Sequence, residues 1–236
     1  MKEKGRWISL ALLLFFILAT AVSCQKGNAG TQEESSSAEE TAETIETENA
    51  GLSFPYELED GKLVVNALFQ SSVENPDYGN EIGEDIASLE IVNQSEEYCI
   101  SAEITVVMED GREISFAASD VPAGKTVWVF ALDNQSVEQE SACVEIEGTA
   151  VFGEASMLEE EISCRVDDTT ITLENLTEQE LTGLSVRCHC LFEEAYFGGV
   201  TYCYPVEAIP AGGTVTVEAD DCYMGTAEVV SIEKEE

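Results

Sequence analysis

Residues 52–236 predict an all-β fold arranged as two tandem β-sandwiches, on three observations. Apolar and polar residues alternate with a period of two over short runs, turn residues break these runs about every 8 to 12 positions, and the pattern of strands and turns occurs twice. About 185 residues suffice for one large sandwich or two small ones, and the repetition selects two.

The strands follow in chain order. LVVNALF (63–69), EITVVM (103–108), KTVWVF (125–130), TTITLE (169–174) and GTVTVEA (213–219) are rich in β-branched and aromatic residues. Such residues pack well on a pleated, half-buried surface. No stretch in this region sustains a helical period over three turns.

Leu89-Glu90-Ile91-Val92-Asn93-Gln94-Ser95-Glu96 aligns with Ile171-Thr172-Leu173-Glu174-Asn175-Leu176-Thr177-Glu178 at an offset of 82. Val121-Pro122-Ala123-Gly124-Lys125-Thr126-Val127 aligns with Ile209-Pro210-Ala211-Gly212-Gly213-Thr214-Val215 at an offset of 88. The extra six residues of the second copy fall between the two matches, where a loop insertion costs little. Asn followed by Ser or Thr supplies oxygens that bond local amides in a turn, and Pro-Ala-Gly fits a type II-like reversal with positive φ at its bend. Asn93, Asn134 and Asn175 also match glycosylation acceptors and are read here as turn residues.

These residues, together with Phe197-Gly198-Gly199-Val200-Thr201-Tyr202 of the second copy, resemble the Ig-like β-sandwich repeats of Gram-positive lipoproteins, including modules of the FxLYD type. The resemblance covers roughly residues 85–236 and rests on spacing and turn residues. It implies architecture and location, and it brings no catalytic residue.

The chain opens with Lys2, Lys4 and Arg6 before an apolar run from Ile8 to Val22, which predicts a secretory leader over residues 1–23. Ala21-Val22-Ser23-Cys24 resembles the lipobox of bacterial lipoproteins, which implies a diacylglycerol on Cys24 and a place on the extracytoplasmic face of the cell membrane. Two acyl chains suffice for stable anchoring. Residues 24–51, rich in Glu, Ser and Thr with no aromatic residue, predict a disordered acidic tether. The sandwiches are expected over residues 52–155 and 156–236.

A formal net charge of −38 excludes the phosphate neutralisation on which nucleic-acid binding depends. Enzymatic roles lack the required constellations: there is one histidine, no glycine-rich phosphate loop and no His-Glu-x-x-His helix. No cofactor motif is present. Asp167-Asp168 and Asp220-Asp221 are weak calcium candidates at strand ends, set against a reading as ordinary turn acids. Tyr196, Phe197, Tyr202 and Tyr204 share one hairpin and are weak candidates for a protein- or glycan-binding strip, set against core packing.

The most chemical stretch is Val186-Arg187-Cys188-His189-Cys190. At the first offset Val186, Cys188 and Cys190 fall on Ile104, Val106 and Met108, so alternation sends both cysteines to the core face and His189 to the other. Seven cysteines follow Cys24, an odd number, and the alignment matches none of them with another cysteine. Buried thiols behaving as small hydrophobes, one or two disulfides, and a zinc or redox site remain the three readings. The expectation is a non-enzymatic, lipid-anchored interaction protein, with a solute- or cation-binding lipoprotein as the alternative.

Overall fold

A computed structural model describes residues 51–137 and 142–234. The leader, Cys24 and all of the expected tether but Gly51 lie outside them. The described residues form sixteen strands: β1 Tyr56–Leu58, β2 Leu63–Ser71, β3 Glu74–Asn75, β4 Glu81–Ile82, β5 Ile86–Asn93, β6 Tyr98–Met108, β7 Glu113–Val121, β8 Thr126–Phe130, β9 Cys143–Gly153, β10 Ile162–Asp167, β11 Thr170–Asn175, β12 Leu181–Phe192, β13 Ala195–Phe197, β14 Tyr202–Ile209, β15 Thr214–Glu218 and β16 Thr226–Lys234. The helical content of the described residues is two single 3-10 turns, Glu59–Gly61 and Pro76–Tyr78. The all-β expectation holds, and each of the five quoted runs lies within or overlaps a strand.

The first repeat layers β1-β2-β5-β8 against β7-β6-β9, and the second layers β10-β11-β15 against β12 with its neighbours β14 and β16. Alternation decides what each layer buries. Val65, Leu89, Ile91, Val127 and Val129 meet Ile104, Val106, Ile114 and Phe116; in the second repeat Ile171 and Leu173 meet Leu184, Val186, Cys188 and Ile232.

The repeated asparagines explain why the two offsets coexist. Asn93 Nδ2 donates to the carbonyls of Glu97 and Val121, both at 2.9 Å, while its Oδ1 accepts from the N–H and hydroxyl of Ser95. Asn175 does the same with Gln179 (2.7 Å), Ile209 (3.0 Å) and Thr177. One fully buried amide in each copy therefore ties the turn after β5 or β11 to the strand that precedes Pro-Ala-Gly. That turn is closed by Lys125 N–H to the Pro122 carbonyl in one copy and Gly213 N–H to the Pro210 carbonyl in the other, with Gly124 and Gly212 at φ 75° and 62°.

Each repeat carries one excursion that the other lacks. In the first, residues 72–85 leave β2, form the β3–β4 pair and the 3-10 turn, and return at β5. This shifts β2 out of the constant offset: Cys164 pairs with Leu173 as Val65 pairs with Ile91, whereas Ile82, its partner at the offset of 82, sits exposed in β4. In the second, the six-residue insertion extends β12 into a hairpin with β13. β13 runs parallel to β8, with Tyr196 opposite Val127 and Phe197 opposite Trp128. Hydrogen bonding thus crosses the expected boundary at residues 155/156, and an eight-stranded sheet draws on both repeats.

Candidate functional site: the seam between the repeats

The two excursions meet. Asp77, in the turn contributed by the first repeat, directs its carboxylate at the backbone of the insertion. It accepts the N–H of Gly199 at 2.7 Å and 3.0 Å, that of Val200 at 3.1 Å and that of Phe130 at 2.8 Å. Burial nonetheless dominates: desolvation of the carboxylate raises its pKa from the usual 3.8 to about 6, against the three N–H groups that lower it.

The glycines make this approach feasible. A Cβ at Gly199 would stand 1.8 Å from the Ala117 carbonyl oxygen, and one at Gly198, where φ is +90°, would stand 2.5 Å from Pro76 Cγ. Only glycine permits the insertion to pass between β7 and the Pro76–Tyr78 turn. Gly199 O in turn accepts the Ser119 N–H at 2.9 Å, covering part of the outer edge of β7.

Val186-Arg187-Cys188-His189-Cys190 lies at the centre of this seam. Cys188 and Cys190 face the core of the second repeat, as alternation requires, at 0% and 3% exposure. His189 points the other way and is nevertheless fully buried, because the first repeat covers that face. Its Nε2 lies 2.8 Å from the Ser119 carbonyl, and its ring stacks on Tyr196 with centroids 4.4 Å apart. Burial pushes the His189 pKa down, favouring the neutral ring with its proton on Nε2. Next to it Arg187 pairs with the buried carboxylate of Asp120 on β7. Lys125 approaches Glu228 at 2.6 Å, and Glu228 also accepts the Tyr196 hydroxyl at 3.0 Å. Among the described residues, the buried side-chain polar atoms left without a partner are His189 Nδ1 and the Tyr98 hydroxyl.

Cys190 is bonded to Cys222, which ties β12 to the loop after β15. Cys99, Cys143, Cys164, Cys188 and Cys203 are free thiols, and of these Cys203 is exposed. No family model matches this chain, and no curated protein matches it. The roles of these groups therefore rest on their geometry.

As metal ligands, the acidic pairs reach the same end of the second repeat but do not converge. Ala219 N–H donates to Thr169 O and Ala227 N–H to Asp168 O, both at 2.9 Å, while Asp167, Asp168, Asp220 and Asp221 are exposed. Asp221 accepts the Tyr204 hydroxyl at 2.7 Å. Among the described residues no three His, Cys, Asp or Glu side chains are grouped to hold a metal ion.

The four aromatic candidates divide. Tyr196 and Phe197 are buried at 0% and 6% exposure, with Phe197 5.1 Å from Phe130 across the seam. Tyr202 and Tyr204 are half-buried on the side of β14 that faces its own repeat. The insertion spends its aromatics on joining the repeats. Nothing in the sequence distinguishes Asp77 and Asp120 among 48 acidic residues. The paired glycines of Phe197-Gly198-Gly199 were the one available signal of a close backbone approach.

Proposed function

We propose that this protein is a lipid-anchored surface protein of a bacterial cell, attached through a diacylated Cys24 and held off the membrane by its acidic tether. Its two repeats serve as Ig-like, non-catalytic modules that present an interaction surface to a protein or glycan. The observation that carries the anchoring is the basic and apolar leader ending in Ala21-Val22-Ser23-Cys24. What supports an interaction role is the use of the chemistry at the seam. The lone histidine is buried against Ser119 and Tyr196, and the buried carboxylate of Asp77 is occupied by backbone N–H groups. These are bonds that fix two modules at one angle, which suits a rigid presenting surface. The division at residues 155/156 is then a boundary between repeats that act as one body.

Mass spectrometry of the protein purified from its producing cell tests the anchor. A mature N-terminus at Cys24 carrying a diacylglycerol is the expected result, and an unmodified Cys24 or a terminus elsewhere contradicts it.

A further inference from the structure

We propose that the outer edge of β15 is a strand-addition site for an extended segment of another polypeptide bearing lysine or arginine. The inference deepens the interaction-module reading and rests on it. Its starting point is an asymmetry between equivalent strands. β8 and β15 occupy the same place in the two repeats, at the offset of 88. The outer edge of β8 is filled by β13, with Gly198 N–H donating to Trp128 O at 2.8 Å and Phe130 N–H donating to Asp77. Among the described residues β15 has β11 as its one hydrogen-bonded neighbour, and its residues alternate between exposed and half-buried.

The register shows which groups are free. Ala219 N–H donates to Thr169 O and Asn175 N–H to Gly213 O, so residues 213, 215, 217 and 219 turn their backbone groups toward β11. Thr214, Thr216 and Glu218 turn theirs outward. These correspond to Thr126, Trp128 and Phe130; Trp128 O accepts the Gly198 N–H of the insertion and Phe130 N–H donates to Asp77. An unpaired strand edge of this kind is a ready template for another chain. The neighbouring edge is less suited, because Pro205 deprives β14 of a backbone donor.

Charge selects the occupant. Where β8 ends in Trp128 and Phe130, β15 has Thr216 and Glu218, with exposed Glu174 paired to Thr214 and exposed Asp220 just beyond its end. A hydrophobic hairpin like that of residues 192–201 would find no apolar partner here, and a second copy of this chain, at a net charge of −38, would be repelled. A basic extended segment would satisfy both the backbone groups and the carboxylates.

The test uses the full chain and a synthetic peptide of alternating lysine and threonine, read by amide hydrogen exchange. The peptide should slow exchange at Thr216 and Glu218 by about tenfold or more. Thr216→Pro, which removes an outward N–H and no ladder bond, should abolish protection at Glu218. Glu218→Lys, which leaves the backbone intact, should weaken the lysine peptide about tenfold and favour its counterpart with glutamate in place of lysine. Absence of protection between Thr214 and Glu218, protection confined to β10, or unchanged binding to both variants would overturn the proposal. Those results would leave the anchoring at Cys24 untouched, since mass spectrometry reads it separately.

Discussion

Asp77 holds Gly199: a carboxylate from the first repeat accepts the backbone N–H of a glycine in the second, across 122 positions of sequence. The bond joins the two segments by which the repeats differ, and it explains why an acidic side chain tolerates burial there. Asp77→Ala leaves the N–H groups of Gly199, Val200 and Phe130 without an acceptor, and should cost about 3 kcal/mol or more in urea unfolding. Asp77→Asn keeps one acceptor oxygen but presents an amide donor to a backbone N–H, so it should rescue only part of that loss.

The same carboxylate sets a pH dependence. With its pKa raised from 3.8 to about 6, Asp77 binds a proton more tightly in the folded than in the unfolded chain. Its contribution therefore favours folding at low pH and is lost as pH rises from about 4 through 6, a difference of about 3 kcal/mol. His189 acts in the opposite direction: its lowered pKa costs stability as pH falls below the ordinary histidine value near 6.5. Unfolding free energy measured against pH should rise between pH 6 and 4 in the native chain relative to Asp77→Asn. Parallel profiles would refute the assignment.

Gly199→Ala places a methyl group 1.8 Å from the Ala117 carbonyl oxygen, a backbone atom of β7 that cannot step aside. A destabilisation of about 3 kcal/mol or more follows from overpacking at that point. Gly212→Ala is the useful contrast, because its Cβ meets nothing within 4 Å and its φ of +62° sets the only penalty. Thermal melts of the two variants should differ accordingly.

Asn93 and Asn175 were legible from sequence as a repeated turn signal, and so were the strands around them, because local hydrogen bonding and period-two burial act over short spans. Alternation likewise separated Cys188 and Cys190 from His189. What covers His189 was not legible: its face is buried by Ser119 and Tyr196, which lie in a different repeat and in an insertion. The correspondence of Cys164 with Ile82 failed for a related reason, since residues 72–85 interrupt the spacing with an excursion whose purpose is tertiary. Pairings between repeats depend on which surfaces meet, and so does the choice, within the second repeat, of Cys222 as the partner of Cys190.

Asn93→Ala and Asn175→Ala should carry similar costs of about 2 to 4 kcal/mol each, because each removes donors from at least two carbonyls and the acceptor for a turn N–H. Substitution by Asp should not restore stability, since a carboxylate has no proton for Val121 O or Ile209 O. Chemical denaturation of the four variants checks the equivalence.

Thiol labelling of the folded chain should modify Cys203 first. Cys99, Cys143 and Cys188 are buried, and desolvation raises their pKa values, that of Cys188 to about 12, so they should react only on unfolding. Cys190 and Cys222 should appear only after reduction, and loss of their bond, which spans 32 residues, should cost about 3 to 4 kcal/mol. Peptide mapping of the alkylated sites gives the order.

Trp128 is the single tryptophan of residues 24–236, and it sits on β8 at the seam, 6.2 Å from Phe69 and 6.1 Å from Phe192. Its fluorescence reports the joint between the repeats, while far-ultraviolet circular dichroism reports the strands of both. If the seam makes the repeats one body, urea unfolding followed by the two signals gives a single transition with coincident midpoints. A Trp128 transition separated from a later loss of strand signal would show that the repeats part before they unfold, and would contradict the account.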